Sequence, residues 1–320
     1  RGLHRKKKII SRNEAYHGAT YVAAELTGIH ATKNSFDRIG QEFIHHVSAA
    51  NMYAKPEAMS EGEYCDYLVD EFEQRIHQLG PDNVAAFIAE PVMGAGGVLV
   101  APEGYHRRMW EVCKRYDMLY IADEVVTAFG RLGHWFASEA VFDYQPDILV
   151  SAKGITSGYI PLGATLISDE IYEVISKPQS QGGVFTMGLT YFGHPVACRA
   201  ALKNIEIMDR ENLCDNAADV GAYFQSTAQS LMNAPLVGDV RGHSLMLAVD
   251  LVGGKQKKTG LPLDVGAGDR VFRKCLERGV IVRPVGDRLV LSPPLIINRE
   301  QVDTIVAALS EAVTELHAEL

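Results

Sequence analysis

Three short apolar runs, each ending in a charged residue, restrict this chain more than any other feature. "VAAFIA" (84–89) ends in Glu90, "MLYIA" (118–122) in Asp123, and "DILVSA" (147–152) in Lys153. Between the first two lies "GYHRRMWEVCKRYD" (104–117), where Tyr105, Met109, Val112 and Cys113 recur at helical spacing. Continuous apolar runs bounded by loops read as strands buried on both faces. In strand–helix–strand order they predict a parallel sheet covered by helices, an α/β fold. Such crossovers are right-handed, and ligands gather at the carboxyl ends of the strands. Glu90, Asp123 and Lys153 are therefore expected along one edge of one sheet.

A lysine directly after a buried strand is costly unless its ammonium reaches water, a partner or a covalent attachment. Snorkelling to water is the simplest way out. Two acids at neighbouring strand ends argue for more than that. A lysine amine can form a Schiff base with a carbonyl. An acid at the far end of a flat aromatic cofactor can keep a ring nitrogen protonated and so make the ring an electron sink. Those are the requirements of pyridoxal 5′-phosphate (PLP), with Lys153 for the aldehyde and Asp123 for the pyridinium.

From residue 195, "PVACRAALKNIEIMDREN" reads as one long helix leading into a second domain. After it come a strand in "LMLAVDLV" (245–252), a helix near 266–278, two short strands in 279–295 about a Gly-Asp turn, and a final amphipathic helix (299–320). This is an α+β unit of about 110 residues. The expected division is 1–204 for a large cofactor-binding domain and 205–320 for a small domain.

Other classes fit poorly. A formal net charge of −9 implies no broad basic surface for nucleic acid. The opening "RGLHRKKKII" reads as a solvated turn or helix end leading into a strand, not as a nucleic-acid or membrane arm. No run reaches the length of a membrane span. Five scattered cysteines without a CxxC pair suit reduced thiols in a cytoplasm, not a disulfide framework or a zinc site. His45, His46 and His243 lack carboxylates or cysteines at ligand spacing, so no metal is expected. "GAGG" (94–97) is half of a dinucleotide fingerprint, but it leads into "VLV" and not into a helix, which argues against a Rossmann oxidoreductase.

The motifs together resemble the class III (omega-type) PLP-dependent aminotransferases. The segments are "YIADEVVTAFGRLG", "SAKGITSGYIPLGA" with Lys153 thirty residues after Asp123, "YHG" (16–18), "AEPVMGAGG" (89–97), "GLTYFGHPVACRAAL" (188–202) and "VRGHSLM" (240–246). The resemblance spans essentially the whole chain and implies PLP fold type I, a mainly parallel sheet between helices plus a smaller C-terminal α+β domain. It implies that Lys153 is the Schiff-base lysine and shuttles a proton between the substrate carbon and cofactor C4′. It places Asp123 on the pyridine nitrogen, Val125 on one ring face, and Tyr16 on the other beside His17 and Gly18. Glu90 would be a hydrogen-bonding group close to the cofactor. Thr190 would reach the cofactor phosphate in the neighbouring subunit of a homodimer or a dimer of dimers.

Ornithine, acetylornithine and 4-aminobutyrate enzymes usually read Asp-Glu-Val-Gln where this chain has Val126. With Arg283 in "RPVGDRLVLSPPL" matching a mobile carboxylate-binding arginine, this resembles the amine:pyruvate branch. The implied activity moves an amino group from an amine or omega-amino acid to pyruvate or a similar 2-oxo acid. The alternatives are another fold-type-I PLP enzyme (mutase, decarboxylase or epimerase) or a catalytically silent subunit. The Gly-Ser stretch that the family uses to cradle phosphate, and the segment that closes the site, would lie upstream of "YHG". They do not occur in these residues. The 320 residues are thus expected to be the ordered part of a longer protein, or a truncated product with impaired cofactor affinity.

Overall fold

The computed structural model describes residues 1–34, 37–183, 185–254, 260–262 and 265–320. Two compact units share the chain. The first comprises Arg1–Gly96, Ala101–Phe129 and Phe136–Glu211, the second Gly97–Val100, Gly130–Trp135 and Asn212–Leu320. The expected boundary at 204/205 falls inside a helix, Pro195–Arg210, which stays whole within the first unit.

The first unit is built on a six-stranded sheet. Its strands are β1 (Lys8–Arg12), β2 (Ile44–Val47), β3 (Val84–Ala89), β6 (Leu119–Asp123), β7 (Ile148–Ser151) and β8 (Ala164–Ile167), in the order β2-β1-β3-β6-β7-β8. The short strand β4 (Val92–Met93) belongs to this unit and β5 (Leu99–Val100) to the other. All neighbours in the large sheet pair in parallel except β7 and β8. The sheet is mainly parallel, as expected, with one antiparallel edge: β8 returns antiparallel because only a 3₁₀ turn and loop separate it from β7, with no crossover helix.

Side chains alternate as the pleat requires. Ile10, Phe87 and Tyr120 enter one cluster with Phe72 of α2 (Glu61–Leu79) and Met109 of α3 (Tyr105–Arg115). Ile9, Ile88 and Ile121 point to the other face, with Ile44 and with Leu26 of α1 (Tyr21–Leu26). Ser60 and Glu63 form a reciprocal capping box that starts α2. The remaining helices of this unit are α4 (Ala137–Ala140), α5 (Asp169–Ile175) and α6 (Pro195–Arg210). The basic opening is an exposed turn before β1.

In the second unit, β9 (Val237–His243), β10 (Met246–Leu251), β11 (Arg283–Val285) and β12 (Arg288–Leu291) form an antiparallel sheet in the order β11-β12-β10-β9. Helices α7 (Leu213–Ala228), α8 (Ala267–Glu277) and α9 (Arg299–Glu319) pack on it around Phe224, Leu247, Leu289, Val271 and Leu309. Sequence reasoning found β10, α8, the β11–β12 pair and α9 but passed over α7 and β9. The α7 signal was present, since Ala217, Val220, Gly221 and Phe224 are its buried residues and recur at helical spacing. No helix of the described residues is long and apolar enough to cross a membrane.

Candidate active site

Parallel strands bring their carboxyl ends to one edge, and the chemistry-bearing residues lie there. Arg12 ends β1, Glu90 follows β3, Asp123 ends β6, and Lys153 comes two residues after β7. Asp123 pairs with Val150 in the β6–β7 register, so Lys153 stands just past its neighbour strand's acid.

Asp123 is buried, and both carboxylate oxygens are held. Oδ1 accepts the Val125 N–H at 3.2 Å, and Oδ2 lies 2.7 Å from His17 Nδ1. A carboxylate at this distance fixes the imidazole proton on Nδ1. His17 Nε2 is buried without a hydrogen-bond partner. The ring is carried by a loop that folds back on β1. His17 N–H donates to Thr27 Oγ1 at 2.9 Å and Gly28 N–H to the Ala15 carbonyl at 2.7 Å. A Cβ at Gly28 would lie 2.2 Å from the Arg12 carbonyl oxygen, so only glycine allows that return.

Glu90 organises the same loop. Its Oε1 accepts the Tyr16 N–H at 3.1 Å and its Oε2 the Gly94 N–H at 2.9 Å. Burial raises its carboxyl above the ordinary carboxylate range; nearby His17 pulls it back and Asp123 pushes it further up. Two buried basic side chains fix the backbone at this point. Arg12 Nη2 donates to the Glu90 carbonyl at 2.6 Å, and His106 Nε2 donates to the Pro91 carbonyl at 2.9 Å while Nδ1 accepts from Tyr120 Oη. Burial pushes His106 down to about 3, so it stays neutral and keeps an acceptor nitrogen. Sequence reading missed Arg12 and His106, because a strand-end arginine and a helix histidine carry no local sign of their depth.

Lys153 is exposed in this chain and opens a 3₁₀ turn, Lys153–Thr156, at φ +43°. For a non-glycine residue this conformation is uncommon and must be imposed by its surroundings. Asn204 of α6 supplies part of the constraint, donating Nδ2 to the carbonyls of Gly154 (2.9 Å) and Ile155 (3.2 Å). Among the described residues, nothing hydrogen-bonds to or pairs with the Lys153 amine. The neighbouring carboxylate of Asp123, Glu124, is a fully buried anchor. It accepts the N–H groups of Ala137 and Ser138 and the hydroxyls of Ser138 and Thr127.

The structure thus brings Tyr16, His17, Gly18, Glu90, Asp123 and Val125 together and sets Lys153 on the same edge. Thr190 is exposed on the loop before α6, and Arg283 is exposed on β11 of the second unit. Val126 lies in the turn after β6. Gly96 of "GAGG" is a packing glycine: a Cβ there would lie 2.4 Å from the Glu14 carbonyl oxygen. No group of three His, Cys, Asp or Glu among the described residues is arranged to hold a metal. His46 instead bonds the Leu26 carbonyl through Nε2.

A model of the "Aminotransferase class-III" family matches residues 1–313. The chain belongs to that family. Gamma-aminobutyrate transaminase 1 of Oryza sativa subsp. indica, a mitochondrial protein by name, is 37% identical over 308 residues, covering 96% of this chain and 59% of the relative. An uncharacterised aminotransferase of Sinorhizobium fredii is 39% identical, covering 100% of this chain and 69% of the relative. The chain spans about three fifths of the length of the first curated relatives that it matches. Among solved structures, a transaminase with L-alanine superposes at a TM-score of 0.95 with 44% identity, covering 99% of this chain and 75% of that one. An (S)-enantioselective omega-transaminase from Thermomicrobium roseum gives 0.93 with 40% identity, covering 98% and 69%. The fold is the class III, PLP fold-type-I architecture.

Enzymes of this family are PLP-dependent, and the donor set here fits that group. A buried carboxylate held on both oxygens suits a ring nitrogen, and an unpartnered lysine amine suits an aldehyde.

Proposed function

We propose that this protein is an aminotransferase that moves an amino group from an amine or omega-amino acid to pyruvate or a similar 2-oxo acid. The observation that carries the reading is the buried Asp123–His17 pair (2.7 Å) at the end of β6, with Lys153 just beyond the paired strand β7 and its amine without a partner among the described residues. Lys153 would hold PLP through its amine. Asp123, oriented by His17 and the Val125 N–H, would face the ring nitrogen. Val125 and Tyr16 would flank the ring, with His17, Gly18 and Glu90 fixing that loop. PLP, when bound, supplies an electron sink for negative charge on the donor carbon. Lys153 Nζ is the base available to take the proton from that carbon and return it in the opposite half-reaction.

The first unit would be the PLP-binding domain and the second the small domain. Arg283 would bind the substrate carboxylate through its guanidinium fork. The likeness to a solved transaminase with L-alanine supports pyruvate, because alanine is what its amination yields. Relatives named as gamma-aminobutyrate transaminases support omega-amino acid donors. Phe185, Leu189, Tyr191 and Val196 are more than half exposed, and Tyr159 is 90% exposed. Large apolar side chains so exposed support burial against a second copy, with Thr190 reaching that copy's phosphate site. Five cysteines with no disulfide among them support a reducing compartment such as the cytoplasm.

The test uses the holoenzyme with an amine donor. Alanine should accumulate only when pyruvate is present, and borohydride followed by peptide mapping should place the pyridoxyl group on Lys153. Lys153→Ala should abolish turnover. A label on another lysine, or amine consumption independent of a 2-oxo acid, would refute the reading.

A further inference from the structure

The second unit contains a charge cluster next to the hairpin that bears Arg283. Asp250 of β10 lies directly across from Arg288 of β12 and from Asp239 of β9. Arg288 grips it with two bonds, Nε to Oδ1 at 2.6 Å and Nη2 to Oδ2 at 3.3 Å. Arg241 completes the cluster, with Nη1 at 2.6 Å from Asp239 and 2.9 Å from Asp250, and Nη2 at 3.1 Å from Asp250. Two acids facing each other across a ladder would repel, so Arg241 between them is required. Burial alone would raise the Asp250 carboxyl, but the bonds from Arg288 and Arg241 outweigh it and hold it below its usual value.

The cluster is seated on Gly97. Its carbonyl accepts from Arg241 Nε at 3.0 Å and Nη2 at 2.7 Å. A Cβ at Gly97 would lie 2.1 Å from Arg288 Nη1, and its φ of +111° also disfavours a side chain. The other side of the hairpin is tied as firmly. Gly286 (φ +59°) leads the two-residue turn that joins β11 and β12, as a type II′ turn requires. The Asp287 side chain accepts the N–H groups of Ala267 and Gly268 at the start of α8, and its carbonyl accepts from Leu251 at 2.8 Å. Arg283 itself is exposed on β11, in backbone register with Val290 of β12.

We infer that Asp250 and Arg288 are positioning residues for acceptor recognition: they lock the β11–β12 hairpin so that Arg283 reaches or leaves a 2-oxo acid carboxylate by rotation of its side chain alone. This rests on the reading of Arg283 as the carboxylate-binding arginine. A rigid base matters because a bidentate guanidinium–carboxylate pair tolerates little error in placement. An uncharged amine substituent does not use that pair and should be indifferent to the hairpin.

Single-turnover measurements of the holoenzyme's two half-reactions test it, with pyruvate on one side and an uncharged aromatic amine on the other. Arg283→Ala is the reference and should weaken only the pyruvate side. Arg288→Met keeps most of the stem over Gly97 and leaves Asp250 paired with Arg241. It should raise the apparent Kd for pyruvate on the order of tenfold, with the amine side changed by less than about twofold. Arg288→Lys, which keeps charge without the fork, should fall between wild type and Arg288→Met and serves if the methionine variant does not fold. If Arg283→Ala is selective while the Arg288 variants change both half-reactions alike or neither, the positioning role is overturned. If Arg283→Ala itself hits both sides equally, the reading of Arg283 fails, and the inference fails with it.

Discussion

Asp123 and Glu124 are adjacent carboxylates with opposite assignments, and removing Glu124 separates them. The Glu124 side chain accepts the backbone N–H groups of Ala137 and Ser138 and two hydroxyls, all in the interior. In Glu124→Ala the hydroxyls of Thr127 and Ser138 can turn to other acceptors, but the two amides cannot. Each buried N–H left unpaired costs about 1–3 kcal/mol, and the vacated volume adds to that, so the loss is about 3–5 kcal/mol. For a body of this size that lowers the melting temperature by roughly 10 °C. Glu124→Gln keeps one acceptor oxygen and turns an amide NH₂ toward the same donors, so about half the loss is expected. Thermal and urea unfolding of the holoenzyme measure both. Well below the transition, the kcat of the glutamine variant should remain within about threefold of wild type, because this carboxylate touches backbone and hydroxyl groups only. Unchanged melting with a collapse of kcat would refute the reasoning and place Glu124 among the reacting groups.

Asp123→Asn should show the reverse pattern. The amide can still accept from Val125 and can donate to His17 Nδ1 once that ring carries its proton on Nε2, so the melting loss should stay below that of Glu124→Ala, while the donor half-reaction followed by rapid-mixing absorbance should slow on the order of a hundredfold or more. A near-normal rate would remove Asp123 from the ring nitrogen. The third expectation concerns acid stability. Folding holds His106 neutral down to about 3, whereas an ordinary histidine takes its proton at 6.5. The unfolded chain therefore binds a proton that the folded one refuses, and stability falls as pH drops from 6.5 toward 3 and is flat with respect to this group above 6.5. His106→Gln should flatten the pH dependence of urea unfolding between pH 6 and 4 by up to about 1.4 kcal/mol per pH unit. Some slope of the same sign should remain from His46, which burial holds near 4. An unchanged slope would show that His106 is protonated in the fold.

The sequence by itself determined the sheet and its reactive edge. Apolar runs ending in Glu90, Asp123 and Lys153 are a local signal, since strand burial is written in consecutive side chains and parallel pairing follows from the helices between them. Family motifs then assigned Tyr16, His17, Val125, Thr190 and Arg283 their expected roles, although no local pattern puts a histidine at residue 17 against an acid at 123. Only the tertiary structure decided that contact, because it depends on how the loop after β1 folds back, which the close approach at Gly28 permits. The same holds for the buried arginine and histidine that grip consecutive carbonyls at Glu90 and Pro91. It holds equally for the last glycine of "GAGG", which is a seat for Arg288 and not part of a phosphate loop. In each case the partners come from distant stretches of chain, and their meeting is fixed by packing volume and hydrogen-bond geometry, which composition and periodicity do not encode.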